Sequence, residues 1–218
     1  MDDIHQAIKS AIDYLSAWEV KTFDFFLRVL SRDVRALYTG KIGQDEFIDN
    51  LAGLLEQQLR RAWNEGMREN GLDPARDMTP EWEQVYQDIV ANEFTHVDQF
   101  AADIVAARES ESGTDALLAR ANLWANRYND VVNQSMLTTA PGQGTDNEAR
   151  YVWVYGDTEH CETCAALNGI VATASAWAES GYRPQSPPND ALECGGWRCQ
   201  CRLELTDDEP TPGGIPSV

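Results

Sequence analysis

Five cysteines, spread from position 161 to position 201, are the side chains of this sequence best suited to chemistry. Cys161-Glu162-Thr163-Cys164 sets two thiolates two residues apart, a spacing that lets both turn toward one ion. A second group follows, Cys194-Gly195-Gly196-Trp197-Arg198-Cys199-Gln200-Cys201. Structural zinc takes four ligands in a tetrahedron, and a Cys-x2-Cys followed at a distance by further cysteines supplies them. The paired glycines after Cys194 permit the tight backbone that would bring Cys194 and Cys199 round to one ion. Cys199, Cys201, Leu203 and Leu205 alternate, so on a strand all four face one side. Four of the five cysteines are therefore the expected metal ligands: Cys161, Cys164, Cys194 and Cys199, with Cys201 able to replace Cys199. The expected cofactor is structural Zn2+, about one ion per chain.

Other chemistries fit less well. The five thiols could form disulfides, with one left over. His160-Cys161-Glu162 has the His-x-Glu form of zinc deaminases, but that chemistry also needs a downstream Pro-Cys-x2-Cys, which is missing. His160 directly precedes Cys161, an awkward position for a ligand, and is expected to pack at the rim. His5 and His96 fall on predicted helices, and no Ser/His/Asp set can be assembled around the three histidines. No phosphate-binding glycine loop precedes a helix. The sequence therefore predicts no catalytic residues and no organic cofactor.

Charge narrows the partners. Thirty-six acids against seventeen bases leave a net charge of −19. A field of that sign repels phosphate backbones and anionic lipid, so strong nucleic-acid binding and membrane binding are not expected. Residues 151–218 hold three arginines, no lysine and ten acids; a nucleic-acid-binding ribbon would have to rely on a patch of Arg183, Arg198 and Arg202. No run of apolar residues is long enough to span a bilayer. Met1-Asp2-Asp3-Ile4-His5 lacks the basic opening of a secretory signal, so folding in a reducing cytosol is expected.

The elements that must carry this module read as helix after helix through residue 140. Ile4, Ile8, Ile12 and Leu15 share a stripe, and Val20, Phe23, Leu27, Leu30, Val34 and Leu37 form a coiled-coil-like seam suited to a neighbouring helix. Thr39 to Gly43 breaks the pattern. Phe47, Leu51, Leu55, Leu59 and Trp63 mark the next helix, stopped at Asn70-Gly71. Thr79-Pro80-Glu81 starts another, with Tyr86, Val90, Phe94, Val97, Ala101 and Ile104 as its buried stripe. A last helix carries Leu117, Ala121, Trp124, Tyr128 and Val131. Tyr151 to Tyr155 is a short β-type run. The expected fold is mainly α: a helical domain over 1–140, a linker at 141–150, a small α+β zinc-ribbon-like module at 151–206 and a disordered tail at 207–218.

The residues of this module also resemble a known family. Trp153-Val154-Tyr155-Gly156, His160-Cys161-Glu162-Thr163-Cys164, Leu167-Asn168-Gly169, Pro184 and Cys194 through Leu203 are similar to the C-terminal module of tailed-phage minor head proteins of the MuF type. That pattern has a Trp-containing strand, a Cys-x2-Cys, a Leu-x-Gly turn and a closing His-x2-Cys-Arg-Cys. Here Cys194 stands roughly where the His would be, and Gln200 replaces the Arg. The match covers about residues 150–205, with a weaker helical similarity upstream. The resemblance implies a non-catalytic, portal-associated virion protein, made in the host bacterial cytoplasm and acting in capsid assembly or DNA packaging and delivery. Its implied partners are the portal and/or the major capsid protein, with several copies per particle.

Overall fold

The computed structural model describes residues 25–156, 159–197 and 199–218. The stripe from Ile4 to Leu15 and the start of the following seam lie outside the described residues. The chain is mainly α through residue 138, followed by a small α+β module that carries the cysteine cluster. The helices are α1 (25–38), α2 (Gln44–Glu69), α3 (Pro74–Asp77), α4 (Pro80–Phe94), α5 (Val97–Glu109) and α6 (Asp115–Thr138). The module follows as β1 (Arg150–Val154), α7 (Glu162–Leu167), β2 (Val171–Thr173), α8 (Ala174–Ser180) and β3 (Arg202–Thr206).

Helix boundaries follow local chemistry. Gly40, at φ +70°, ends α1, with Lys41 N–H donating to Ala36 O at 2.8 Å. Gly71, at φ +74°, closes α2 in the same way, with Leu72 N–H on Met67 O at 3.1 Å. Thr79 Oγ1 accepts the Trp82 N–H at 3.2 Å and caps α4. One expectation is corrected. The stripe from Tyr86 to Ile104 reads as a single helix, yet the chain breaks at Thr95-His96 into α4 and α5. His96 thus stands at the N-cap position of α5, with no side-chain capping bond, instead of lying within a helix. Buried positions 90, 93, 97, 101 and 104 keep steps of three and four across the break, so periodicity carries no mark of it.

Contacts divide the chain into two compact units, and the division does not fall at the expected 141–150 linker. The first joins residues 25–54 to Phe94–Ala125. Its core includes Phe26, Leu30, Val34 and Leu37 from α1, and Phe100 packs edge-on against Phe47 and Trp124 at centroid distances of 5.8 and 4.7 Å. The α1 seam is therefore core. Phe26 is buried and Phe25, the next residue back, is exposed.

The second unit joins Leu55–Glu93 to Asn126–Val218, so the later part of α6 packs with the module. Leu59, Trp63, Met67, Tyr86, Val90 and Val131 form one cluster of this unit. Gly66 lets α2 approach α6 closely, since a Cβ there would lie 2.4 Å from Val132 O. Ser135 Oγ donates to Trp63 O at 2.6 Å across the same crossing. A second cluster combines Met136 and Leu137 of α6 with Tyr151, Trp153, Leu167, Trp177 and Leu203 of the module. The Tyr151 hydroxyl is buried against Asn70 Oδ1 at 2.5 Å, and Asn70 Nδ2 donates to Met136 O at 2.8 Å.

The module's sheet has the order β2-β1-β3, antiparallel throughout, with Tyr151 opposite Ala172 and Leu205, and Trp153 opposite Leu203. The strand expected to carry Cys199 and Cys201 starts only at Arg202. Leu203 and Leu205 do share one face of β3, opposite Trp153 and Tyr151, with Leu203 buried and Leu205 exposed, but Cys199 and Cys201 precede the strand. Residues 207–218, expected as a disordered tail, are paired with the module. Thr211 N–H donates to Val171 O at 2.9 Å, Ile215 packs on the core, and Val218 N–H meets Tyr182 Oη at 3.1 Å.

A prediction follows for proteolysis. Residues 141–147 form an exposed loop and should be cut first. Because Met136 and Leu137 lie in the module's core, the nicked pieces should co-elute on gel filtration and separate only in denaturant. Separation of a freely migrating helical fragment in native buffer would disprove the shared core.

Candidate metal centre

The site is built from three segments. Cys161 caps the N-terminus of α7, its Sγ accepting the Cys164 N–H at 3.4 Å, so the Cys-x2-Cys turn is the first turn of a short helix. Cys194 lies in a tight loop in which Gly195 and Gly196 adopt φ of +61° and +78°. A Cβ on Gly196 would sit 2.9 Å from Pro187 N, so the glycines do permit a tight loop, but Cys194 and Cys199, expected to meet at one ion, fall in different sulfur trios. Trp197 N–H closes the loop on Cys194 O at 3.0 Å. The third segment, Cys199 to Cys201, is pressed against the end of β1, where a Cβ on Gly156 would lie 2.2 Å from Gln200 O. Gln185 Nε2 donates to Cys201 O at 3.0 Å, and Asn129 of α6 in turn holds Gln185 at 3.1 Å.

These segments bring all five cysteines to one place, and none is in a disulfide. Cys161, Cys164 and Cys194 have sulfurs within 4.8 Å of one another, as do Cys164, Cys199 and Cys201. Cys164 belongs to both trios, and it and Cys201 are buried. A cavity of about 320 Å³ is lined by the five cysteines together with Glu159, His160 and Trp197.

Three groups that sequence reasoning left out of the site belong to it. His160 stacks on Tyr155, ring centroids 3.8 Å apart, and brings Nδ1 to 3.6 Å from Cys201 Sγ. Position next to Cys161 hid this, because the ring is aimed by Tyr155 and not by the Cys-x2-Cys turn. Glu159 adds a carboxylate to the lining. Trp153 Nε1 is buried without a hydrogen-bond partner, and its indole favours the ionised form of Cys201. An N–H left over beside a buried sulfur suits a thiolate more than a thiol.

The thiols cannot ionise independently at this separation. Hydrogen bonding with Cys199 and Cys201 pushes Cys164 far above the ordinary thiol range. The same contacts, with Cys164 first and Cys199 second, bring Cys201 down to about 3. Burial pushes Cys194 up to about 11. A cation taken up here must displace the protons held on Cys164 and Cys194, so metal uptake by this cluster should strengthen as pH rises. The donor set, soft sulfur with one imidazole in reach, fits zinc.

Glu162, the proton carrier of a deaminase-like reading, is exposed and does not line the cavity. Of the basic patch, Arg183 is paired with Asp130 at 2.8 Å and Arg202 with Glu204; Arg198 lies outside the described residues. No helix among the described residues is long and apolar enough to cross a membrane. Compared with known proteins, the chain matches no family model, no curated protein and no solved structure.

Proposed function

We propose that this chain is a non-catalytic structural protein whose C-terminal module is stapled by thiolate-bound zinc, and that it serves as a minor head component of a tailed phage. The observation that carries the first part is the convergence of five unbridged thiols on one cavity beside the module's core. Cys161, Cys164, Cys194, Cys199 and Cys201 are the proposed ligands. Zinc would offset part of their charge and lock α7, the Gly195-Gly196 loop and the segment leading into β3 together. The second part rests on motif resemblance alone. It carries with it the portal or major capsid protein as partner, several copies per particle and residence in the virion.

The cluster supports a zinc-dependent nucleic-acid-contacting module more directly than it supports a head component. The observation favouring that reading is Trp197, 42% exposed at the cavity's edge, where a base could stack. Against it stand the paired Arg183 and Arg202 and the acidic balance of residues 151–218.

The experiment takes the full chain purified without added metal. Elemental analysis should find zinc, and single-stranded DNA should give no salt-sensitive mobility shift. Absence of zinc, with disulfides in its place, would overturn the staple. A shift abolished by Trp197→Ala would replace the head reading with the nucleic-acid one. Absence of the protein from purified particles of a phage that encodes it would remove the head reading outright.

A further inference from the structure

Ligand arithmetic at the cluster goes beyond one zinc. The sulfurs of a four-thiolate zinc tetrahedron stand about 3.8 Å apart, from a Zn–S bond of about 2.3 Å. Each trio is compact enough to cap an ion, yet among the described residues neither gains a fourth donor within 4.8 Å of all its members. The five sulfurs thus form two triangles sharing one corner at Cys164, and not one tetrahedron with a spare.

We propose that the module holds two zinc ions bridged by the Cys164 thiolate. This rests on the zinc reading above and deepens it. A thiolate sulfur has three lone pairs and can bind two cations. One ion takes Cys161, Cys164 and Cys194; the other takes Cys164, Cys199 and Cys201. Two tetrahedra sharing a corner use seven donors. The cavity is lined by five thiols, one imidazole and one carboxylate, of His160 and Glu159. His160 is the fourth donor for the second ion once its ring moves toward Cys164 and Cys199: its Nδ1 already stands 3.6 Å from Cys201 Sγ, and a Zn-bound S···N edge is about 3.6 Å by the same geometry. Glu159, which lines the same cavity, is the oxygen donor left for the first ion and must swing toward Cys161, Cys164 and Cys194 to reach it.

Charge favours the same count. Four thiolates around one dication leave a site of charge −2 and a fifth thiol protonated beside it. Five thiolates, one carboxylate and two dications give −2 as well, but spread over two centres and with every thiol proton passed to solvent. No buried sulfur is then left without a partner.

The test is stoichiometry. The full chain, reduced and stripped of metal, is titrated with zinc and weighed intact by native mass spectrometry; two ions per chain are expected at saturation. Cobalt(II) in place of zinc should show sulfur-to-metal charge transfer growing through two equivalents. Its high-spin paramagnetic signal should weaken at the second equivalent, because ions joined through one sulfur couple magnetically. His160→Ala and Cys194→Ser should each retain one ion against a competing chelator. Saturation at one ion overturns the two-ion site and leaves the zinc staple standing. Two ions without magnetic coupling overturn the Cys164 bridge. Binding of none overturns both the inference and the zinc reading beneath it.

Discussion

Cys164→Ser is expected to empty the site and unfold the module, the largest effect of any single substitution proposed for this chain. The residue is 2% exposed and belongs to the module's hydrophobic cluster with Trp153 and Leu167, and its sulfur is common to both trios. Serine offers a harder, less acidic donor and leaves a polar hydroxyl in apolar packing. Structural zinc contributes roughly 10–16 kcal/mol in isolated fingers, so its loss is comparable with the whole stability of an ordinary domain, about 5–15 kcal/mol. The tilted Trp153–Trp177 pair, with centroids 5.8 Å apart, provides the readout. Near-ultraviolet circular dichroism from this pair should collapse, while far-ultraviolet helicity falls only in part. Excess chelator should reproduce the same change in the unmodified chain. Cys194→Ser, which touches one trio only, should be milder. If Cys164→Ser retains metal and near-ultraviolet signal, Cys164 is a core thiol and not a ligand.

Much of this arrangement is legible in the sequence, for reasons that differ by element. The Cys-x2-Cys and the Gly-Gly loop are local devices: spacing and φ freedom alone dictate what they do. Helix ends at Gly40, Gly71 and Thr79 are legible for the same reason, since a cap depends on a few neighbouring backbone groups. What sequence does not disclose is which face meets what. The α1 seam reads equally as a docking surface or as core, and only its packing into the first unit, with Phe26 buried and Phe25 exposed, decides between them. The role of His160 depends on Tyr155, five residues earlier, stacking on its ring. The pairing of Arg183 with Asp130 joins positions that no periodicity relates. Arg183 thereby leaves the basic patch that composition alone would allow.

That pairing leads to the second large effect. Asp130 on α6 is fully buried and lies between two arginines: Arg183 of the module, Nε to Oδ1 at 2.8 Å, and Arg127 of α6 itself. Gln134 Nε2 adds a donor to Oδ2 at 2.8 Å. Arg127 also reaches Glu93 Oε1 at 2.8 Å, so it keeps a carboxylate when Asp130 is removed, whereas Arg183 has no second carboxylate among the ion pairs of the described residues. Asp130→Ala should therefore act mainly at the join between α6 and the Tyr182–Gln185 segment. Removing one member of a buried pair costs about 3–5 kcal/mol, and the partial exposure of both arginines places this one at the low end. A denaturant titration should show that loss with zinc content unchanged, which separates docking from metal binding. The pair is largely shielded from solvent, so the loss should persist in high salt. A double-mutant cycle with Arg183→Ala should give a coupling of at least about 1 kcal/mol, as for residues in direct contact. Coupling near zero, or a loss that vanishes in salt, would mean that Asp130 does not hold the module to α6 and that the shared apolar core around Met136 and Leu137 does so alone.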